Sequence, residues 1–393
     1  MGNANASQEY LVYDDESAYG TAATTMLFAR STGDNINASK TALISEERRS
    51  DGQVPFFRHG MQKIEGVGFD FELSYLAFKD WIRNILRYGL TTGRFISSID
   101  TSTNTLTWAA SDDSVTRASG SWITDGAVVG MRVRVTNPSG DGAQDDEVFT
   151  ITVVTATKLT FAENVIVTAS QVTGTAIFEC DYATHGVTDS SFSIERGFSD
   201  ITVYDHLTGA QASDLSLTLA LDALVTGSFQ FIAQDFDTDT STADSSPDNV
   251  DTSEPISTDA GSIEEGGTAT SLITAASLAF ANGRRGLGVL GDPNIVGSSA
   301  GRHILSGSIT ALFQAVTGLN KFLDETESSL RFSLQDPAGN EMNIYIPSVG
   351  YGGANRQVQG DDVVTLDMPW TAFRNTTRGT TVEISMTPDV AAV

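Results

Sequence analysis

SFSIERGFSDITVYDHLTGAQASDLSLTL, residues 191–219, followed by VTGSFQF at 225–231, reads as four short runs of alternating apolar and polar residues. Phe192, Ile194 and Phe198 share one parity and Ser193 and Glu195 the other, so the first run is expected to bury one face and wet the other. Arg196 interrupts that apolar parity. A second run carries Ile201 and Val203. The third and most regular sets Leu215, Leu217, Leu219 and Leu221 against Ser216, Thr218 and Ala220, and the fourth is 228–231. Gly197, the stretch 205–209, and Thr226 with Gly227 read as the turns between them. Consecutive antiparallel strands satisfy this pattern most simply.

Outward from this stretch, the chain of 393 residues is long enough for a sizeable core and for two or three domains. Its 36 glycines and many Thr and Ser residues favour β-structure with frequent turns. Fifty acidic residues against 23 basic ones give a formal charge of −27, which repels nucleic acid and excludes phosphate-binding functions built on basic stripes. Solubility or a salty habitat is an equally simple reading of the acidity. The single cysteine, Cys180, leaves no internal disulfide and no cysteine cluster for zinc, and is expected to be a small buried residue. The opening MGNANASQEY lacks the pattern of a secretory signal, and no apolar run nears the roughly 18 residues that span a bilayer, so folding in a cytoplasm without membrane insertion is expected.

Residues 1–20 are rich in aromatics, with Tyr10, Tyr13 and Tyr19 among them. An arm docking on a neighbouring subunit and an ordinary first strand both explain this. From 45 to 60, charged residues surround Val54, Pro55, Phe56 and Phe57, which predicts a long loop with an apolar knuckle. Phe69, Phe71 and Leu73 alternate with Asp70 and Glu72 as a strand, after which Ser74 can cap a helix. Tyr75, Phe78, Trp81, Ile82, Ile85 and Leu86 share one face of that helix, with Lys79, Asp80, Arg83, Asn84 and Arg87 opposite and Gly89 as a stop. The aromatic stripe predicts packing on a face or open end of a sandwich.

From 95 to 178 the texture changes to short strands such as TLTW, MRVRV, VFTITVV and KLTFA, which predicts a small separate β-domain inserted in the main one. The expected division is a core in two parts, 1–94 and 179–393, with the insertion at 95–178 and a mobile acidic loop at 234–267. The spacing of Asp235, Asp237 and Asp239 opens like a calcium loop, but Thr240 and Ser246 stand where glycine and glutamate are required. Strands are expected at 304–313, a short helix at 319–325, a hairpin joining 330–333 to 342–346, and last strands at 363–366 and 381–385.

Gly286, Gly288 and Gly291 match the dinucleotide fingerprint, yet Pro293 stands where the phosphate-binding helix would run. Gly297, Ser299 and Gly301 match a nucleophile elbow, with His303 nearby, but without the strand and helix that the elbow needs. His59, His185, His206 and His303 show no metal-ligand spacing. The reading is of a protein that is not an enzyme and needs no cofactor or metal.

The stretches 191–219 and 225–231, with ESAYGTAA at 16–23, GVGFDFELSY at 66–75 and GNEMNIYIPSVGY at 339–351, resemble the major tail tube proteins of long-tailed bacteriophages. SGSWITDGAVVGMRVRVTNP and VFTITVVTATKLTF resemble a compact β-module found in various phage tail proteins. The resemblance implies a mainly β fold: a tail-tube sandwich or barrel with one flanking helix, plus the inserted domain on the outer wall. It implies a virion protein that assembles with itself into hexameric rings stacked as a hollow tube, alongside tape measure, tail tip and terminator proteins, with DNA passing through unbound. Glu195, Asp70 and Glu72 then become candidates for the lumen through their polar parity. Tyr10, Tyr13, Phe56 and Phe57 become candidates for contacts between subunits. A β-sandwich that binds carbohydrate or protein outside the cell is the alternative.

Overall fold

The computed structural model describes residues 4–387 except 49, 55, 89–93, 101–103, 126, 128, 130, 137–146, 163–165, 167–169, 173–174, 250–251, 315–316 and 358–362. The described residues form twenty-nine strands and two α-helices, so the fold is mainly β.

Its largest sheet takes the strands Phe57–Glu72, Thr226–Ala233, Val203–Ala220, Ile273–Ala281, Ile304–Leu312 and Thr365–Ala372 side by side, all antiparallel. Alternation decides which face goes inside. Leu215, Leu217 and Leu219 are buried while Ser216, Thr218 and Ala220 between them are exposed. Opposite lies a second layer of Gly261–Glu265, Ser328–Gln335, Glu341–Tyr351, Glu383–Thr387 and Thr175–Thr184, joined to the first at one corner where 349–351 pair with 370–372. Its buried Leu330, Phe332, Ile344 and Ile384 share one apolar core with Leu278, Ile309 and Trp370 of the first. Gly307 permits this packing, because a Cβ there would stand 2.6 Å from the Trp370 ring.

The strands Val203–Ala220 and Phe192–Phe198 correct three of the sequence expectations. Its stretch 205–209 is no turn. Residues 203–210 pair with Phe192–Phe198 and with Asp235–Asp239, and residues 211–220 pass on into the large sheet. Gly209, at φ +66°, sits where the strand changes sheets, a conformation open to glycine at little cost. Asp205, which reads as a turn residue, is instead buried against Arg196, and Thr238 donates to it at 2.8 Å. Gly197 likewise lies within a strand. The expected wet face of Phe192–Phe198 is also absent, because Ser193 and Glu195 are as buried as Phe192 and Ile194.

The helix is Lys79–Leu86, shorter than its apolar periodicity suggests. Phe78 rather than Ser74 is its first flanking residue, and Ser74 instead bridges to Pro255. The helix ends at Arg87 in the left-handed conformation, φ 57°, and Gly89 lies outside the described residues. Tyr75 and Phe78, in the turn before it, are buried together with Trp81, Ile82, Ile85 and Leu86. Trp81 is the hub: its ring lies within 6 Å of Tyr13, Phe69, Phe192, Phe229 and Phe231. The helix therefore fills the angle between the large sheet and the Glu9–Asp15/Phe192–Phe198 pair. Asn84, assigned above to the solvated face, is buried, donating to the Ser190 carbonyl at 3.0 Å and accepting from the Ala212 N–H at 2.8 Å. The second helix, Thr317–Leu323, starts two residues before the predicted one.

Between the helix and Thr175–Thr184, short strands enclose a second apolar cluster that contains Trp108, Trp122, Phe149, Phe161, Phe178 and the buried Cys180. Thr175–Thr184 is common to both regions, its residues 175–181 pairing with Arg94–Asp100 and its residues 181–184 with Glu383–Thr387. Arg378 donates to the Val129 carbonyl, and Arg132 forms an ion pair with Glu341, so contacts to the main sheets flank that strand.

The stretch 234–267 is built into the fold rather than being a mobile loop. Asp235–Asp239 forms a strand along residues 204–208, Gly261–Glu265 joins the second layer, and Ile256 is fully buried. Backbone pairing, to which acidic side chains are indifferent, outweighs the composition here.

Candidate assembly surfaces

The outward face of the large sheet is a surface of one chemistry. The strand registers place Asp70 beside Ser228, then Ser216, Ala279, Ser306 and Thr371 in a single row across it. The neighbouring row is Glu72, Thr226, Thr218, Ser277, Ser308 and Pro369, and flanking rows supply Asp214 and Asp367. Ser216 and Ser228 share a hydrogen bond of 2.8 Å, and Ser277 and Ser308 one of 3.1 Å. Small hydroxyls bonded to one another across strands make a low, wetted relief, above which the four carboxylates stand. Not one outward position in these rows carries lysine or arginine. Cross-strand repulsion among the carboxylates is limited, since none directly faces another in the registers.

A second surface arises where Phe57–Glu72 runs past the sheet. Its pairing with Thr226–Ala233 stops at Ile64, and its residues 57–63 continue as a two-stranded ribbon with Ser39–Ile44. The sequence reading of 45–60 as loop is therefore right only for the tip, because the strand begins at Phe57 and its residues 57–59, all exposed, need no alternation of apolar and polar side chains. Phe56 and Phe57 are 58% and 56% exposed, with Leu43, Ile44 and Val54 equally open. The Arg285–Gly288/Ile295–Ser299 hairpin lies against the ribbon's base, with the Gln62 N–H donating to the Pro293 carbonyl at 2.8 Å. This is the element that holds the glycine fingerprint and the elbow-like serine. It is a two-stranded hairpin with neither a phosphate-binding helix nor an elbow.

Four of the other residues singled out above do not share these surfaces. Glu195 lies on no outward face: it is fully buried, accepting from Tyr10 Oη at 3.1 Å, Thr242 Oγ1 at 2.8 Å and the Ala243 N–H at 2.6 Å. Burial, with the Glu195 charge nearby, pushes the Tyr10 hydroxyl up to about 12. Tyr10 is thereby engaged within its own chain. Tyr13 is buried on Trp81 and Phe192 and offers nothing to a neighbour. His303 is packed 4.8 Å from His185, ring centre to ring centre, and desolvation holds it down at about 4, neutral at physiological pH. Asp70 is exposed and Glu72 partly so, on the outward face as their parity suggests.

The sequence reading passed over Asp214, although it shares the parity of Ser216 in the Leu215 run, and Asp367, whose strand was placed one residue short of it. It also passed over Glu16. That carboxylate accepts from the Gly20 and Gly209 N–H groups at 2.8 and 2.7 Å and from the Ser191 and Ser193 hydroxyls at 2.6 and 3.1 Å. It ties 16–23 to 191–209, two of the stretches that carry the resemblance.

The features that set this β-sandwich apart are its buried helix, a sheet face rich in small hydroxyls and carboxylates, and a projecting ribbon with exposed apolar side chains. The chain belongs to the phage tail tube protein family, whose profile matches residues 6–372, and is thus a structural component of a phage tail. No curated protein matches it. Among the described residues, no helix is long and apolar enough to cross a membrane.

Proposed function

We propose that six copies close into a ring, that rings stack into a hollow tube, and that the outward face of the large sheet lines its bore. The observation that carries this is the set of Asp70, Glu72, Asp214 and Asp367, spread over four adjacent rows among small hydroxyls, with no lysine or arginine between them. A bore of this kind repels phosphate over a Debye length of about 8 Å and offers no cationic side chain for it to pair with, so DNA slides rather than binds. The region 95–178 forms a separate domain on the outer wall, where it leaves the bore open. Assembly takes place in the host cytoplasm, with the tape measure, tip and terminator proteins of the tail as partners.

The test is a Ser216→Cys variant, with Cys180 buried as a silent background. Negative-stain microscopy should show six-fold rings and tubes. In those tubes the new thiol should react with a small maleimide and not with a long polyethylene-glycol maleimide that fails to enter the bore. Equal reaction with both reagents in intact tubes would place this face on the outside.

A further inference from the structure

The strand Phe57–Glu72 has two ends of opposite character. At its first end stands the ribbon, which with its tip (39–63) carries five basic side chains, Lys40, Arg48, Arg49, Arg58 and Lys63, against three acidic ones, in a chain whose overall charge is −27. Its exposed apolar residues are Leu43, Ile44, Val54, Phe56 and Phe57. At about 3.3 Å per residue, the stretch 64–72 spans about 30 Å of sheet and 57–63 carries the ribbon roughly 20 Å beyond it.

At the other end, the strand is tied into a rim. The Leu73 N–H donates to the Val225 carbonyl at 2.8 Å, the Val225 N–H to Ile256 at 2.9 Å, and the Ile256 N–H to Leu73 at 2.7 Å. The Thr258 N–H donates to Ala223 at 3.0 Å. The rim therefore consists of the turn 221–225 and the segment 254–260. It presents Glu72, Asp222, Glu254 and Asp259, and from residue 207 to residue 283 the chain has no lysine or arginine at all. Leu221 is 76% exposed there, at the lip of an open groove of about 400 Å³ lined also by Leu219, Ile263 and Ile273.

A basic, apolar projection and an acidic rim with an apolar groove, at opposite ends of one strand, are complementary between copies and out of reach within one. We propose that the ribbon of each subunit docks on the 221–225/254–260 rim of a second copy in the next ring, its Phe56–Phe57 knuckle entering the groove beside Leu221 and Arg58 facing Glu254 and Asp259. A contact between two different patches is heterologous, and repeated along an axis it propagates without closing, as a tube requires. Burying the knuckle also removes the largest exposed apolar cluster on the ribbon from water. This inference rests on the stacked-ring reading, and it adds which surface receives the ribbon.

Charge exchange tests it. Wild-type protein, the ribbon variant Arg58→Glu, the rim variant Glu254→Lys/Asp259→Lys, and the variant with all three changes are assembled and sized by sedimentation and electron microscopy. Either reversal alone should shorten mean tube length at least tenfold while single rings persist, and combining them should restore long tubes. Full-length tubes from the rim variant, or no recovery in the combined variant, would overturn the docking. A wild type that forms neither rings nor tubes would instead overturn the stacked-ring reading itself. As a second readout, a Phe57→Cys/Leu221→Cys protein should form a disulfide ladder of covalent oligomers when tubes are oxidised. Monomers alone, from tubes that do assemble, would refute the contact.

Discussion

Replacing Glu195 separates a structural carboxylate from a lumenal one. Its side chain is fully buried and accepts from Tyr10, Thr242 and the Ala243 N–H, at 3.1, 2.8 and 2.6 Å. Hydrogen bonds to a charged acceptor each contribute about 1.5–3 kcal/mol net. In Glu195→Ala, water reaches the half-exposed Tyr10 and Thr242 but the Ala243 N–H loses its acceptor, so the segment around 240–249 should loosen by about 2–4 kcal/mol. At about 1.4 kcal/mol per factor of ten, amide exchange in a peptide covering 240–249 should accelerate roughly 30- to 1,000-fold. Glu195→Gln, which keeps one acceptor oxygen and the shape, should fall between. The large-sheet peptides covering 214–220 should exchange as in the wild type. Exchange at 240–249 within threefold of wild type would show that the segment is held by something other than this carboxylate, and the reasoning would fall.

Three further outcomes follow from the geometry. Trp81→Ala removes the hub of five aromatic contacts and should cost about 3–5 kcal/mol, seen as a lower urea midpoint or as insoluble chains, whereas Trp81→Phe should cost less than half of that. Asp70→Lys with Asp214→Lys should leave folding and tubes intact but give tubes that retain DNA on a filter, with retention lost steeply between about 50 and 200 mM salt. Burial pushes the Glu383 carboxyl up to about 7 although Arg378 opposes the shift. Its folded value thus lies above the unfolded one. The folded state holds that proton more tightly, so stability should rise by at most about 3 kcal/mol as pH falls from 8 to 5, and Glu383→Gln should flatten this rise in melting curves taken across that range.

What could be read from the residues alone depended on whether side chains or backbone decided the structure. Leu215, Leu217 and Leu219 announce a half-buried strand, and Trp81, Ile82, Ile85 and Leu86 announce a helix against a core, because burial writes itself into periodicity. The same periodicity places Asp70 and Glu72 on the outward face. It misleads at Glu195, whose polar parity is met by buried donors from 242–243 that are distant in sequence. It is silent at the ribbon, where 39–44 and 57–63 pair through their backbones and most side chains, those of 39–44 and 57–59 among them, meet solvent. It undervalues 234–267, whose carboxylates conceal the strands Asp235–Asp239 and Gly261–Glu265. The helix came out too long for another reason: Tyr75 and Phe78 are buried from a turn, and burial alone does not distinguish a turn from the first turn of a helix. The acidic rim is made of turn residues that only the sheet brings into line with Glu72.

The ribbon also makes the protein report on its own assembly to a protease. Trypsin cuts after lysine and arginine, and the exposed Lys40, Arg48, Arg58 and Lys63 all stand on the projecting element, whereas 207–283 offers no cleavage site even when unfolded. Free subunits should therefore be nicked first between 40 and 63, leaving the sheets in one resistant piece, and the rate of that first cut becomes a clock for how many ribbons are still unoccupied.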